Sequence, residues 1–324
     1  MIKWGIIGAG WIADKMASDF CCVENAKIVA VAARDLNRAE EFAHKYKIEK
    51  AYGNYQQLAT DPDIDVVYIA TTHNLHLEHT MLCLQNNKHV LCEKPITVNA
   101  NEFAIMRAEA QKRNLFLMEA FWTNFLPTTI KALEWVKSGV IGNIELITAN
   151  LGFIMRNDPQ GRFFNPALAA GSLLDLSIYN INFGRLMAQS PVADYNIMVQ
   201  KTPQGIDLVD SIQVRYQNNI LGLYTASSDA LLENNAIIMG TKGRIVVKNF
   251  HMSNKALLFL GETEVEEFID ERTTNGYNYE AQAVTNCLLN NQTECQQRLL
   301  NDTDESMKLM DDMRKRVGIV YPFE

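Results

Sequence analysis

Short apolar runs separated by longer amphipathic stretches organise the first third of the chain. Residues 2–7, 28–33, 65–70, 89–92 and 115–118 are rich in Ile, Val, Leu and Ala. Their length and near-continuous hydrophobicity predict strands buried on both faces. Residues 11–20, about 76–86 and about 99–113 carry helical patterns between them. This alternation predicts a parallel sheet of about six strands covered by helices. The pattern changes after Trp122. One helix over about 127–138 leads to Gly139 and Gly142, and the strands that follow, 144–153, 209–216, 220–227 and 236–239, alternate with period two. Asn218-Asn219 and Thr241-Lys242-Gly243 read as hairpin turns. Consecutive hairpins predict a mostly antiparallel sheet, with helices on one face and the other open to a second copy. The expectation is an α/β chain of two domains, 1–121 and 122–324.

Composition narrows the functional classes. The chain has 324 residues, 48% hydrophobic and 21% charged, as in an ordinary soluble globular protein. A formal net charge of −8 argues against nucleic-acid binding. The first apolar stretch, 2–12, is interrupted by Gly5, Gly8 and Gly10 and is too short to cross a bilayer, and no later stretch reaches transmembrane length. The six cysteines, at 21, 22, 83, 92, 287 and 295, form no Cys-x-x-Cys pair and no zinc-spaced cluster. The expectation is free thiols in a cytoplasmic protein without a metal.

Three segments carry candidate chemistry. The first is Gly8-Ala9-Gly10-Trp11-Ile12-Ala13, a G-x-G-x-x-A turn with a strand before it and a helix after it. Gly8 permits the tight turn, Gly10 a close approach of a pyrophosphate to the helix N-terminus, and Ala13 close packing of helix on strand. This is the sequence context of a Rossmann dinucleotide-binding domain. The second strand ends in Arg34-Asp35-Leu36-Asn37-Arg38. Arg34 holds the place where an acid would exclude a 2′-phosphate, and with Arg38 it can grip that phosphate, which favours NADP over NAD. Asp35 leaves room for NAD, and Asp35 or Asn37 also suits the N-cap of the next helix. The second segment is the loop 71–76, where Thr71, Thr72, Asn74 and His76 are placed to line a nicotinamide pocket. Three histidines at 73, 76 and 79 raise a metal reading that no carboxylate or cysteine set completes, and His79 is expected on the helix surface. The loop is followed by Glu93-Lys94-Pro95, a lysine at the carboxyl end of a strand, where open α/β sheets bind ligands. The third segment is residues 171–179, GSLLDLSIY, in which Asp175 and Tyr179 are i, i+4 on one helix face. Tyr179 suits a proton donor beside an ammonium, but Ser172-x-x-Asp175 is also a capping-box pattern.

Taken together, GAGWIA at 8–13, EKP at 93–95 and GSLLDLSIY at 171–179 resemble the glucose–fructose oxidoreductase/inositol dehydrogenase/MocA (Gfo/Idh/MocA) family over essentially the whole chain. Residues 33–43, 91–100, 115–123 and 163–179 are most similar to its dimeric dihydrodiol dehydrogenase branch, whose members also act as NADP-dependent D-xylose dehydrogenases. The resemblance implies a Rossmann domain followed by an α/β domain with an open-faced sheet, and hydride transfer between NADP (or NAD) and a sugar, polyol or cyclic diol carbon. It implies catalytic roles for Lys94, Asp175 and Tyr179, and cofactor contacts from Gly8, Gly10, Trp11, Ile12, Arg34, Arg38, Thr71, Thr72, Asn74, His76, Glu93 and Lys94. Trp122, Phe153, Arg162 and Asn165 are the expected substrate contacts, the last two within a loop over about 156–170. The chain departs from the pattern at Asn124, where an arginine is expected, and at Ser172, Ser177 and Asn180, where smaller or more apolar residues are. Two other activities fit the same residues: reduction of a keto-sugar of the 1,5-anhydrofructose type, and NADP sensing without catalysis. A homodimer through the C-terminal sheet, with no nucleic-acid or membrane partner, is expected by analogy.

Overall fold

The computed structural model describes residues 1–155 and 161–324. The chain divides into two compact units, Met1–Trp122 with Thr273–Met307 and Thr123–Arg272 with Lys308–Glu324.

The first unit begins β1 Ile2–Ile7, α1 Trp11–Asp19, β2 Ala26–Ala32, α2 Leu36–Tyr46, β3 Lys50–Tyr52, α3 Tyr55–Thr60 and β4 Val66–Ile69. It continues α4 His76–Gln85, β5 His89–Glu93, α5 Ala100–Arg113 and β6 Leu117–Ala120. The six strands are parallel, in the order β3-β2-β1-β4-β5-β6. The order reverses between β1 and β4, so their carboxyl ends form the crevice in which doubly wound sheets bind ligands. Strand residues Ile7, Ala30, Val67, Ile69, Val90 and Cys92 fill the core with Phe103 and Met106 of α5. Asn99 caps α5 by accepting from the Glu102 N–H at 3.0 Å, and left-handed Asn114 ends it. The last strand lies two residues later than the 115–118 run suggests. The Leu115 N–H still closes onto the Ala110 carbonyl at 2.9 Å, so the helix exit consumes the start of the run.

The second unit comprises α6 Pro127–Ser138, β7 Ile144–Gly152, α7 Ile178–Ala188, β8 Val192–Lys201, β9 Asp207–Tyr216, β10 Leu221–Ser227, β11 Ala236–Gly240, β12 Gly243–Lys248, β13 Lys255–Leu260 and β14 Thr263–Ile269. A π turn over Leu173–Ser177 runs directly into α7. The eight strands follow the order β14-β13-β12-β11-β7-β10-β9-β8, and every pairing except β7 with β10 is antiparallel. Helix α7 packs on β7 and β10, and α6 on β12 and β13. On the opposite face Met198, Leu221 and Leu223 are exposed. Both predicted hairpins form, with Asn219 left-handed at the β9–β10 turn.

The chain then returns to the first unit. Helix α8 Tyr277–Leu289 packs on α1 and β1. The buried Asp19 carboxylate accepts from the N–H groups of Asn275, Gly276 and Tyr277 at 2.9–3.0 Å, so a side chain some 250 residues away in sequence neutralises the start of α8. Helix α9 Leu300–Val317 contributes Leu300 and Met307 to the first core, and the unit boundary falls after Met307. Among the described residues no helix is long and apolar enough to cross a membrane.

Candidate active site

In the first unit, the glycine turn has the form an anion requires. Gly8 sits at φ +104°, where an added Cβ would meet the Ala70 carbonyl oxygen at 2.6 Å. Gly10 is the N-cap of α1, and a Cβ there would meet nothing within 4 Å. The start of α1 therefore presents open backbone to a pyrophosphate. Trp11 beside it is exposed and Ile12 is half-buried. Arg34 and Arg38 are exposed, and Arg38 donates to the Ala9 carbonyl at 3.2 Å, within the turn itself. The phenol of Tyr55 lies near both guanidiniums: burial raises its pKa and their charges oppose the rise. Asp35 accepts from the Asn37 N–H at 2.9 Å as the cap of α2. The only acid at the end of β2 is thus directed to its own helix, while two cations stand beside it.

The loop after β4 is tied to the lysine turn. Thr72 donates to Asn74 at 2.8 Å. His76 is fully buried, with Nδ1 2.8 Å from the Pro95 carbonyl and Nε2 3.1 Å from the Thr71 carbonyl. His79, expected on the surface, is buried instead. Helix α4 packs between α3 and α5, His79 meets the Thr71 hydroxyl at 3.0 Å and the edge of Tyr55, and burial lowers its pKa, so it is a neutral core imidazole. Lys94 follows β5 directly and precedes a cis Pro95. Its N–H meets the Glu93 carboxylate at 3.2 Å, and the Ile96 N–H meets Glu119 at 3.0 Å. The other oxygen of Glu119 accepts from Arg298 and from Thr303 at 3.3 Å. Tyr68 donates to Glu93, and the fully buried Glu280 of α8 has no hydrogen-bond partner among the described residues. Burial, and then the charge of Glu93, pushes the Glu280 carboxyl far up, so it is a neutral acid at neutral pH. Trp122 stacks on Tyr277 with ring centres 4.5 Å apart.

The second unit carries the other candidates. Asp175 lies in the π turn and accepts from Arg162 at 2.8 Å. Tyr179, nearly buried, and Phe153 both place their rings against His251, at 6.4 and 5.3 Å between centres. Asn165 caps its own 3₁₀ turn by accepting from the Ala167 N–H at 3.0 Å. Residues 156–160 of the expected substrate loop lie outside the described residues. The capping box does not form. Ser172 donates to the Leu208 carbonyl at 2.8 Å and lies 3.1 Å from the Ser228 hydroxyl, while Asp175 is turned to Arg162. The four residues expected to depart from the family pattern, Asn124, Ser172, Ser177 and Asn180, are all buried and bonded. Asn182 donates to Asn124 at 2.6 Å, Ser177 to Asp210 at 2.7 Å, and Asn180 to the Thr225 carbonyl at 3.0 Å.

Comparison with known proteins identifies the fold and family. Residues 2–121 match the model of the Gfo/Idh/MocA oxidoreductase family with an NAD-binding Rossmann fold, and residues 129–246 match its C-terminal domain. The chain belongs to the Gfo/Idh/MocA family. It is 35% identical to the trans-1,2-dihydrobenzene-1,2-diol dehydrogenase of Mus musculus over 99% of this chain and 98% of that one, and 36% identical to that of Sus scrofa with the same coverage. Among solved structures it matches an aldose-aldose oxidoreductase from Caulobacter crescentus with a TM-score of 0.90 at 20% identity, covering 98% of this chain and 97% of that one. A 3-ketoreductase from Actinomadura kijaniata, crystallised with NADP, matches with a TM-score of 0.87 at 21% identity, covering 97% of each chain. The protein is therefore an oxidoreductase with an NAD-binding Rossmann domain and the expected α/β fold. Among the described residues there is no group of three His, Cys, Asp or Glu side chains placed to hold a metal ion. Sequence reading alone missed Glu119, Arg298, Glu280 and His251, which stand behind or beside the candidate residues. No local motif marks any of them.

Proposed function

We propose that the protein oxidises a secondary hydroxyl of a trans-dihydrodiol or a pyranose sugar such as D-xylose with NADP⁺, and runs the reverse reduction. The observation that carries the reading is the position of Lys94. It leaves the carboxyl end of β5, on the same edge of the parallel sheet as the Gly8–Gly10 turn after β1. An identity of 35% and 36% to two dihydrodiol dehydrogenases, over 99% of this chain, supports the substrate class. Gly8, Gly10, Trp11 and Ile12 would hold the pyrophosphate, and Arg34 and Arg38 the 2′-phosphate. Thr71, Thr72, Asn74, His76 and Glu93 would form and support the nicotinamide end. A bound nicotinamide supplies hydride acceptance and donation.

The chain's own part is proton transfer and charge. Tyr179 takes the hydroxyl proton onto its phenolic oxygen in oxidation and returns it in reduction. The Lys94 ammonium stabilises the phenolate and the developing alkoxide. Asp175, oriented by Arg162, holds the substrate hydroxyl, with Trp122, Phe153 and Asn165 completing the substrate surface. The exposed face bearing Met198, Leu221 and Leu223 suits a homodimer, and the six free cysteines suit the reducing cytoplasm.

The test is NADP⁺ reduction with a trans-dihydrodiol, D-xylose, D-glucose and an inositol, followed by the variants Lys94→Ala and Tyr179→Phe. Each variant should cost on the order of 10²-fold or more in turnover. Near-normal turnover of Lys94→Ala would remove the lysine from the chemistry. Silence on every alcohol with NADPH oxidation on a keto-sugar would reassign the protein as a keto-sugar reductase, and tight NADPH binding without turnover would make it a sensor.

A further inference from the structure

The π turn that carries Asp175 rests on two buried acids that the chemistry above does not use. Asp207 and Asp210, both at 0% exposure, project from β9 beneath residues 171–177. Asp207 accepts from the Leu173 N–H at the start of the turn, and Asp210 accepts from the Ser177 hydroxyl at its end, 2.7 Å away. Gly171 enters the turn at φ +132°, and a Cβ there would lie 2.2 Å from Asp207 Oδ1. The Oδ1 atoms of both acids meet no protein donor among the described residues, and the two carboxyls are within hydrogen-bonding reach of each other.

Two carboxylates cannot both stay ionised in so dry a site. The neighbouring charges do not alter this. Lys201 lowers the pKa of Asp207 only weakly and donates its ammonium to the Val317 and Gly318 carbonyls, and Tyr321, flanked by Arg314 and Glu324, keeps its proton because burial pushes its phenol far up. Asp207 accepts a backbone N–H, a bond that favours its charged form. Asp210 is pushed well up, by burial first and then by the charge of Asp207, and is the one that keeps a proton. A π turn is a rare local geometry, frequently found at functional sites. Nothing in residues 173–177 caps it locally, since Ser172 and Asp175 are bonded elsewhere.

We propose that Asp207 and Asp210 are positioning residues: they share one proton, carried by Asp210 and donated to Asp207, and the pair clamps both ends of the π turn so that Asp175 and Tyr179 hold the orientation the reaction needs. The carboxyl–carboxylate hydrogen bond replaces what would otherwise be repulsion between two anions. The two clamping bonds use different chemistry, a backbone N–H at one end and the Ser177 hydroxyl at the other. Only the catalytic consequence rests on the roles assigned above to Asp175 and Tyr179; the shared proton and the ordering of the turn do not.

The experiment uses the full chain and three variants, Asp210→Asn, Asp210→Ala and Ser177→Ala. Infrared spectroscopy at neutral pH should show, in the difference between the parent and Asp210→Asn, a protonated-carboxyl carbonyl band in addition to that of Glu280, which both proteins keep. Amide hydrogen exchange over residues 171–179 should be at least tenfold faster in Asp210→Ala and near the parent rate in Asp210→Asn, whose amide still donates to Asp207. Ser177→Ala should lie between them. On the substrate found by the panel above, Asp210→Ala should lose at least tenfold in kcat with a smaller change in KM, and Asp210→Asn should stay within about threefold of the parent. Absence of the infrared difference would overturn the shared proton. Exchange as fast in Asp210→Asn as in Asp210→Ala would overturn the clamp. Restored exchange protection in Asp210→Asn without restored turnover would overturn the link to catalysis while leaving the dehydrogenase reading to the Lys94 and Tyr179 variants.

Discussion

Replacing Arg298 by methionine tests how the lysine turn is held. Arg298 and Glu119 are 2% and 1% exposed, so their ion pair is almost wholly out of water. Glu119 divides its two oxygens between the Ile96 N–H, two residues beyond Lys94, and the Arg298 and Thr303 side chains. Arg298 also lies over the Phe121 ring, 4.9 Å from its centre. Removing the guanidinium leaves a buried carboxylate with one N–H and one hydroxyl to hold its charge. Breaking such a pair from one side costs about 3–5 kcal/mol. At roughly 2–4 °C per kcal/mol for a unit of this size, the melting transition of the first unit should fall by about 6–20 °C. Scanning calorimetry on Arg298→Met measures the fall directly. The double variant Glu119→Leu/Arg298→Met removes both charges and should recover most of it, because the penalty lies in the orphaned charge rather than in the lost attraction. A fall below about 2 °C in the single variant, or no recovery in the double, would refute the reasoning. The double variant has no acceptor for the Ile96 N–H, so it should recover stability without recovering turnover.

Two further outcomes follow from the first unit. Arg34→Ala with Arg38→Ala should weaken NADP⁺ binding by tenfold or more and leave NAD⁺ binding nearly unchanged, since charge-assisted bonds to a phosphate are worth about 1.5–3 kcal/mol each; equal losses for both cofactors, read by titration calorimetry, would remove the arginines from 2′-phosphate recognition. Asp61 is buried, and although burial raises its pKa, bonds from Lys50, the Asp63 N–H and Tyr52 outweigh this and hold it below the usual carboxylate range. Its folded pKa is depressed, so its stabilisation is complete above the unfolded value near about 4 and is lost as pH falls through the folded value. Asp61→Asn should therefore cost about 1.5–3 kcal/mol in urea unfolding at neutral pH, and the gap from the parent should close in acid; a gap independent of pH would refute the assignment.

The parts of the molecule legible in the sequence are those whose physics is local. Gly8 takes the left-handed φ of a tight turn, and Gly10 caps the helix that follows it. Lys94 is placed by the strand it ends, and the hairpins at Asn218-Asn219 and Thr241-Lys242-Gly243 by their own turn chemistry. His79 misleads because a histidine on a helix is read as a surface residue unless its partners are known. Those partners, Thr71 and Tyr55, lie in the loop after β4 and on α3. The return of residues 273–307 to the first unit is set by Asp19, which nothing near residue 273 announces.

The segment 171–179 joins both cases. Its residue types point to Asp175 and Tyr179, but the helical spacing that groups them passes through a π turn, not a regular α-helix. Local sequence favours a capping box at Ser172, and the fold overrides it because better partners arrive from β9 and β10. Ser172 gains the Leu208 carbonyl and Ser228, Asp175 gains Arg162, and the buried N–H at Leu173 is met by Asp207. Each polar residue expected to depart from the family pattern in or just after this segment, Ser172, Ser177 and Asn180, is bonded to β9, β10 or Ser228 just beyond β10. Such substitutions, read alone, put the substrate in question. In the folded chain they are bonded to the sheet beneath the turn.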